Sequence, residues 1–141
     1  MLKVMLVDDY LRFRLLVRDW FLNECPSMEI IEAEDGQEAL RKLTPSPPDL
    51  IFMDIGLPGE NGIEITRRIK TDHPDVTVII LTGADLQEYW EGIFQCGANG
   101  LISKTNLKLE EISTVVKCHQ EAKRHGRKLV CVRFLSGEFS I

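Results

Sequence analysis

The sequence predicts an α/β fold, a doubly wound parallel sheet of five strands with helices on both faces. Three observations carry this. Short apolar runs such as Val4–Val7, Leu50–Met53 and Val78–Leu81 lack the polar alternation of a half-exposed strand, and such runs suit strands buried on both faces. Between them lie stretches with apolar residues at helical spacing. The connections are short, as expected when consecutive parallel strands are joined by crossover helices.

A chain of 141 residues fits one domain with a sizeable core. An apolar share of 44% and a charged share of 28% are ordinary for a globular protein. No apolar run approaches the length of a membrane span, and Met1-Leu2-Lys3-Val4 reads as the start of a strand rather than a signal peptide. Cys25, Cys96, Cys118 and Cys131 are far apart without a CxxC pair. They suit a reduced, cytoplasmic protein in which they act as small core residues. Charge is uneven: residues 1–116 hold 11 Lys/Arg against 20 Asp/Glu, whereas residues 117–141 hold 6 against 2. A basic end on an acidic body reads as a linker or a solvated helix end before it reads as a nucleic-acid arm.

The elements follow in order. Residues 3–7 form a first buried strand, closed by Asp8-Asp9. A helix over 10–23 places Phe13, Val17, Trp20 and Phe21 on one face. Leu11, Leu15 and Leu22 fall on another side of that helix and form a candidate surface for a homodimer or a downstream protein partner. Cys25-Pro26-Ser27 breaks the helix, residues 28–33 form a second strand, and Asp35-Gly36 turns into a short helix over 37–43. The Thr44-Pro45-Ser46-Pro47-Pro48 stretch cannot continue a helix and leads into the central strand, Leu50–Asp54. A loop through Pro58, Gly59 and Gly62 precedes a helix over 63–70. Residues 76–81 are the clearest strand, β-branched and apolar, followed by Thr82-Gly83. A helix over 85–96 carries Leu86, Trp90 and Ile93, and the turn Gly97–Gly100 opens a short strand over 101–103 that ends at Lys104. A last amphipathic helix over 107–123 presents Leu109, Ile112, Val115, Val116 and His119, the histidine read as a partly buried structural residue.

In an open parallel sheet, ligands bind beyond the carboxyl ends of the strands. Asp8 and Asp9 end the first strand, Asp54 the third, Thr82 the fourth and Lys104 the fifth, so all of them fall on that one edge. Carboxylates gathered there repel each other unless a cation joins them or their pKa values rise. An oxygen-only donor set without His or Cys selects a hard ion, and Mg²⁺ retaining several waters fits best. Lys104 adds a mobile positive charge and Thr82 a hydroxyl. Together these are the parts needed to form an acyl phosphate on an aspartate.

The acidic pair Asp8-Asp9, the run from Asp54 through Gly56 and Pro58 to Gly62, then Thr82-Gly83 and Lys104, resemble the receiver domains of bacterial two-component response regulators. The resemblance covers residues 1–123 and implies the flavodoxin-like strand order 2-1-3-4-5. By position it makes Asp54 the phosphoacceptor, Asp9 and the Gly56 carbonyl direct Mg²⁺ ligands, Asp8 a water-bridged ligand, and Thr82 and Lys104 contacts of the phosphoryl group. It further implies a sensor histidine kinase or histidine phosphotransfer protein as donor, and self-catalysed loss of the phosphate. Two positions depart from the family pattern: Leu101 stands where an aromatic residue is common, and Thr105 follows the lysine in place of proline.

Residues 1–123 are thus expected to form a phosphoacceptor domain and 124–141 a basic tail or linker, in which the apolar Leu129–Phe134 run reads as a short strand. Three functions compete. The chain is a single-domain regulator acting through protein contacts, with or without phosphorylation, or the regulatory part of a longer DNA-binding protein, nucleic acid being met only through a domain not in this chain. The third, an aspartyl phosphatase of the haloacid-dehalogenase kind, requires an Asp-x-Asp run after the first strand, which Asp8-Asp9 does not supply.

Overall fold

The computed structural model describes residues 1–83, 91–93, 95–105 and 107–129, together with the backbone of 132–135 and 138–140. Five parallel strands form the sheet: β1 (Lys3–Val7), β2 (Glu29–Ala33), β3 (Leu50–Asp54), β4 (Thr77–Thr82) and β5 (Gly100–Ser103). Their order, β2-β1-β3-β4-β5, is the one expected. The sheet does not stop there. β6 (Val132–Leu135) pairs parallel with β5, and β7 (Glu138–Ser140) pairs antiparallel with β6, so the tail or linker, expected to hold one short strand, extends the sheet to seven strands. Asn99, in the turn before β5, donates its side-chain N–H to the Leu129 carbonyl at 2.8 Å and ties down the approach to this extension.

Three helices, α1 (Leu11–Glu24), α2 (Gly36–Arg41) and α3 (Gly62–Asp72), and a last helix, Leu109–Arg124, cover the sheet. Their starts follow local chemistry. Asp35 caps α2 by accepting the Glu38 N–H at 2.8 Å, and Asn61 caps α3 by accepting the Glu64 N–H at 3.0 Å. Met28 closes a turn back to the Cys25 carbonyl, so β2 begins one residue later than the sequence suggests. Leu107 likewise turns back to Lys104, and the last helix begins at Leu109. Of the helix expected over 85–96, residues 91–93 and 95 are helical; Leu86, Tyr89 and Trp90 lie outside the described residues.

Side chains alternate across the sheet and divide the core in two. Met5, Val7, Ile51, Met53, Val78 and Ile80 meet Ile65 and Ile69 of α3 on one face. Val4, Leu6, Leu50, Phe52, Ile79 and Leu81 meet Val17 and Phe21 of α1 and Ile112, Val115 and Val116 of the last helix on the other. Each such aliphatic side chain stabilises the fold by about 1.5–3 kcal/mol on burial. The Trp20 indole N–H donates to the Ser113 hydroxyl at 2.5 Å and fastens α1 to the last helix. On the far side of α1, Leu11, Leu15 and Leu22 are 53%, 38% and 48% exposed, so the second stripe of that helix faces solvent, joined by Tyr10 and Leu16.

Candidate functional site

All five strand-end residues singled out in the sequence converge at the carboxyl edge of the sheet. β3 is buried along its whole length, so its last residue, Asp54, is carried under cover to that edge and is only 8% exposed. β1 delivers Asp8, 2% exposed, while Asp9 one residue later is open to solvent. One carboxylate oxygen from each of Asp8, Asp9 and Asp54 lies within 4.8 Å of the others. Lys104, just past β5, ion-pairs with Asp8 and stands 3.5 Å from Asp54. Its backbone N–H donates to the Thr82 carbonyl at 2.8 Å, which locks the end of β5 to the end of β4. Thr82 itself is buried.

The loop after Asp54 is shaped by two glycines. Gly59 has φ +81°, a left-handed conformation that a side chain would strain. Gly62 approaches so closely that a Cβ there would sit 2.0 Å from the Asp54 carbonyl oxygen. Between them the chain returns to give Gly62 N–H a partner in the Ile55 carbonyl at 3.1 Å. Gly56 is exposed beside the cluster, and its N–H lies 3.3 Å from an Asp54 carboxylate oxygen.

The electrostatics follow from this crowding. Burial raises the Asp54 pKa first, and the neighbouring Asp8 carboxylate raises it further; Lys104 and the Gly56 N–H oppose without reversing the shift. Three carboxylates gather here, and among the described residues Lys104 is the ammonium paired with two of them, which leaves an excess of negative charge that a divalent cation would balance. The donors are all oxygen, one of them solvent-exposed, so the residues fit a hard ion that keeps part of its water shell.

Two neighbours of the site escape a reading based on strand ends. Phe13 of α1 lies under Lys104, whose ammonium is 4.6 Å from the ring centroid. Arg14, only 5% exposed, donates Nη1–H to the Asp8 carbonyl at 2.6 Å. A signal for Arg14 was present: with Val17 and Phe21 it keeps the helical spacing of the buried stripe, and a charged residue on such a stripe calls for a buried partner. His119 and Cys96 are both buried in the core, away from this cluster. Among the described residues, no helix is long and apolar enough to cross a membrane.

Residues 4–117 match the response regulator receiver domain family. The chain is similar to the response regulator GacA of Pseudomonas syringae pv. syringae, 31% identical over 105 residues that make up 74% of this chain and 49% of GacA. It is also similar to the oxygen regulatory protein NreC of Staphylococcus carnosus, 35% identical over 81% of this chain and 53% of NreC. It therefore spans about half the length of these relatives. Among solved structures, a two-component response regulator of the LuxR family from an Aurantimonas species is 31% identical with a TM-score of 0.72, covering 89% of this chain and 86% of that one. A CheY-like receiver domain protein from Methanospirillum hungatei matches the fold with a TM-score of 0.81 at 21% identity, covering 89% of this chain and 98% of that one. By this match over most of its length, the chain belongs to the response regulator receiver domain family.

Proposed function

We propose that this receiver accepts a phosphoryl group on Asp54 from a histidine kinase or histidine phosphotransfer protein in the cytoplasm, and that residues 1–123 form the phosphoacceptor unit. The observation that supports this best is the placement of Asp54. It is a buried carboxylate with a raised pKa, and the ammonium beside it among the described residues, Lys104, is shared with Asp8. Such a carboxylate is poorly stabilised by its surroundings, which favours its use as a nucleophile.

In the proposed reaction an Asp54 oxygen attacks phosphorus; the new P–O bond forms as the P–N bond to the donor histidine breaks. Lys104 leaves the carboxylates for a phosphoryl oxygen, and the Thr82 hydroxyl donates to another. Asp9, Asp54 and the Gly56 carbonyl would hold Mg²⁺ directly and Asp8 would hold it through water, and the ion would supply positive charge beside the phosphoryl oxygens. In the self-catalysed loss of phosphate a water oxygen attacks phosphorus as the P–O bond to Asp54 breaks, which releases inorganic phosphate and regenerates the carboxylate. The protein is then a signalling phosphoacceptor rather than a metabolic enzyme.

Incubation with acetyl phosphate and Mg²⁺ should produce an acid-stable, alkali-labile phosphoprotein, and Asp54→Asn should not. Labelling of Asp54→Asn at the wild-type level refutes the assignment. A second reading, that the receiver is the regulatory half of a longer DNA-binding regulator, is favoured by its spanning 49% of GacA. The sequence of the complete gene decides that point.

A further inference from the structure

We propose that Arg14 is a positioning residue for the cation: it sets the orientation of the peptide that joins Asp8 to Asp9, and through it the spacing of the acidic cluster. This inference rests on the reading that Asp8, Asp9 and Asp54 hold a divalent ion.

The Asp8 carbonyl belongs to the peptide unit between the two acidic residues. It lies one residue beyond β1, where ladder pairing has ended. On the N-terminal side Asp8 is anchored, because its N–H donates to the Ala33 carbonyl at 3.1 Å. Its carboxylate is anchored as well, to the Tyr10 N–H at 2.9 Å and to Lys104. The carbonyl is held by Arg14 at 2.6 Å. A turn about the Asp8 Cα–C bond moves this carbonyl and the Asp9 Cα together; Asp9 itself makes no hydrogen bond or ion pair among the described residues, and the next anchor along the chain is the Tyr10 N–H. The cluster's exposed carboxylate therefore takes its position from Arg14.

Arg14 can do this because it is itself fixed. Its Nε donates to Glu32 at 3.1 Å and its Nη2 lies 3.6 Å from Glu34, so the guanidinium bridges β2 to the end of β1. Glu32 is gripped in turn by Arg18 at 3.0 Å. The planar fork suits this double task, since one guanidinium reaches a carboxylate and a carbonyl at once. A lysine ammonium in its place serves one of them.

Charge and position make opposite predictions for the loss of Arg14. If its positive charge mattered most, removing it would tighten the binding of a cation. If it acts through the Asp8–Asp9 peptide, removing it weakens binding, and the loss of an outer-shell partner typically costs on the order of tenfold or more in metal affinity.

The test titrates Mg²⁺ alone into wild type, Asp9→Ala, Arg14→Met and Arg14→Lys, following the Asp9 and Gly56 amide signals by NMR, with circular dichroism to establish folding. Wild type should bind, Asp9→Ala should lose most of the affinity, Arg14→Met should bind roughly tenfold more weakly, and Arg14→Lys should fall between. Phosphorylation of Arg14→Met by acetyl phosphate should be slow at low Mg²⁺ and return to the wild-type rate at saturating Mg²⁺, a rescue that a general loss of structure would not show. Wild-type or tighter affinity in folded Arg14→Met overturns the proposal. Should that variant not fold, Arg14→Lys carries the same test: weakened affinity supports the proposal and wild-type affinity overturns it. Failure of wild type itself to bind Mg²⁺ overturns the underlying reading of the site instead.

Discussion

Asp49 immediately precedes β3 and Asp54 ends it, five residues apart, and their surroundings treat them in opposite ways. Asp49 accepts the Lys3 backbone N–H at 2.9 Å and the Lys123 ammonium at 3.0 Å. Its backbone is also paired on both sides, with its N–H to the Lys3 carbonyl and its carbonyl to the Thr77 N–H. Burial alone would raise its pKa, but the Lys3 N–H and Lys123 outweigh that and hold the carboxyl below its ordinary value. Asp54 is more deeply covered and faces Asp8, and its pKa moves up. The Asp49 carboxylate fastens β1 to the last helix, and its backbone carbonyl adds β4. The Asp54 carboxylate is left short of partners.

The contrast separates stability from chemistry across the length of one strand. At the amino edge of the sheet every carboxylate oxygen of Asp49 has a donor, so ionisation strengthens the fold. At the carboxyl edge Asp8 and Asp54 share Lys104 with Asp9 close by, so ionisation of Asp54 works against the fold until a cation or a phosphoryl group arrives. Residues that violate local comfort collect where the function lies, and the compensation is placed elsewhere.

The largest expected difference is in phosphoacceptor activity. Asp54→Asn should abolish alkali-labile phosphorylation, whereas Asp49→Asn should keep it within about twofold, because the whole length of β3 separates Asp49 from the reacting edge. Loss of labelling in the Asp49 variant with its fold intact would break the comparison. Stability should show the reverse. Asp49→Ala leaves the Lys3 N–H and Lys123 without their acceptor and should cost about 2 kcal/mol. Asp54→Asn relieves repulsion with Asp8 and should leave stability in metal-free buffer equal to wild type or higher, as measured by urea denaturation followed by tryptophan fluorescence.

Much of this was legible from residue order alone. Asp8, Asp54, Thr82 and Lys104 could be placed on one edge because apolar runs fix where each buried strand ends, and a polar residue at such an end stands out. Asp49 did not stand out, since it follows Pro47-Pro48 and looks like an ordinary loop residue. Its partners lie 46 and 74 residues away, and no local pattern announces them. Phe13 was legible as a core residue but not as the ring beneath Lys104, because that contact depends on how α1 is seated over the end of β5. The tail was legible as apolar; its pairing with β5 was not, because strand edges carry no sequence signature of their partner.

Magnesium should sharpen the comparison by acting at one end only. At ten times its Kd, an ion bound solely by the folded state adds about 1.4 kcal/mol. Wild type and Asp49→Asn should both gain this in thermal melts with added Mg²⁺, and Asp9→Ala and Asp54→Asn should gain much less. An equal gain in Asp54→Asn would place the ion away from the phosphoacceptor.

The smallest effect is expected from pH at the amino end, where His119 of the last helix is buried beside Asp49 and Lys123. Burial lowers its pKa first and Lys123 lowers it further, against an opposing pull from Asp49. Its Nε2 has no hydrogen-bond partner among the described residues. The unfolded chain therefore takes up a proton on this residue at a higher pH than the folded protein does. Stability is fully present above the ordinary histidine pKa of about 6.5 and declines as pH falls from there through the lower folded value. Melting temperatures of wild type should drop between about pH 7.5 and about pH 5.5, and His119→Phe should flatten that part of the profile. Asp49 contributes nothing in that window, because its lowered pKa places its loss of stability in more acidic solution. The acetyl phosphate reaction at Asp54 should be the same in His119→Phe and wild type at neutral pH. A changed rate there would mean that the two ends of β3 are coupled, and the separation argued from Asp49 and Asp54 would fail.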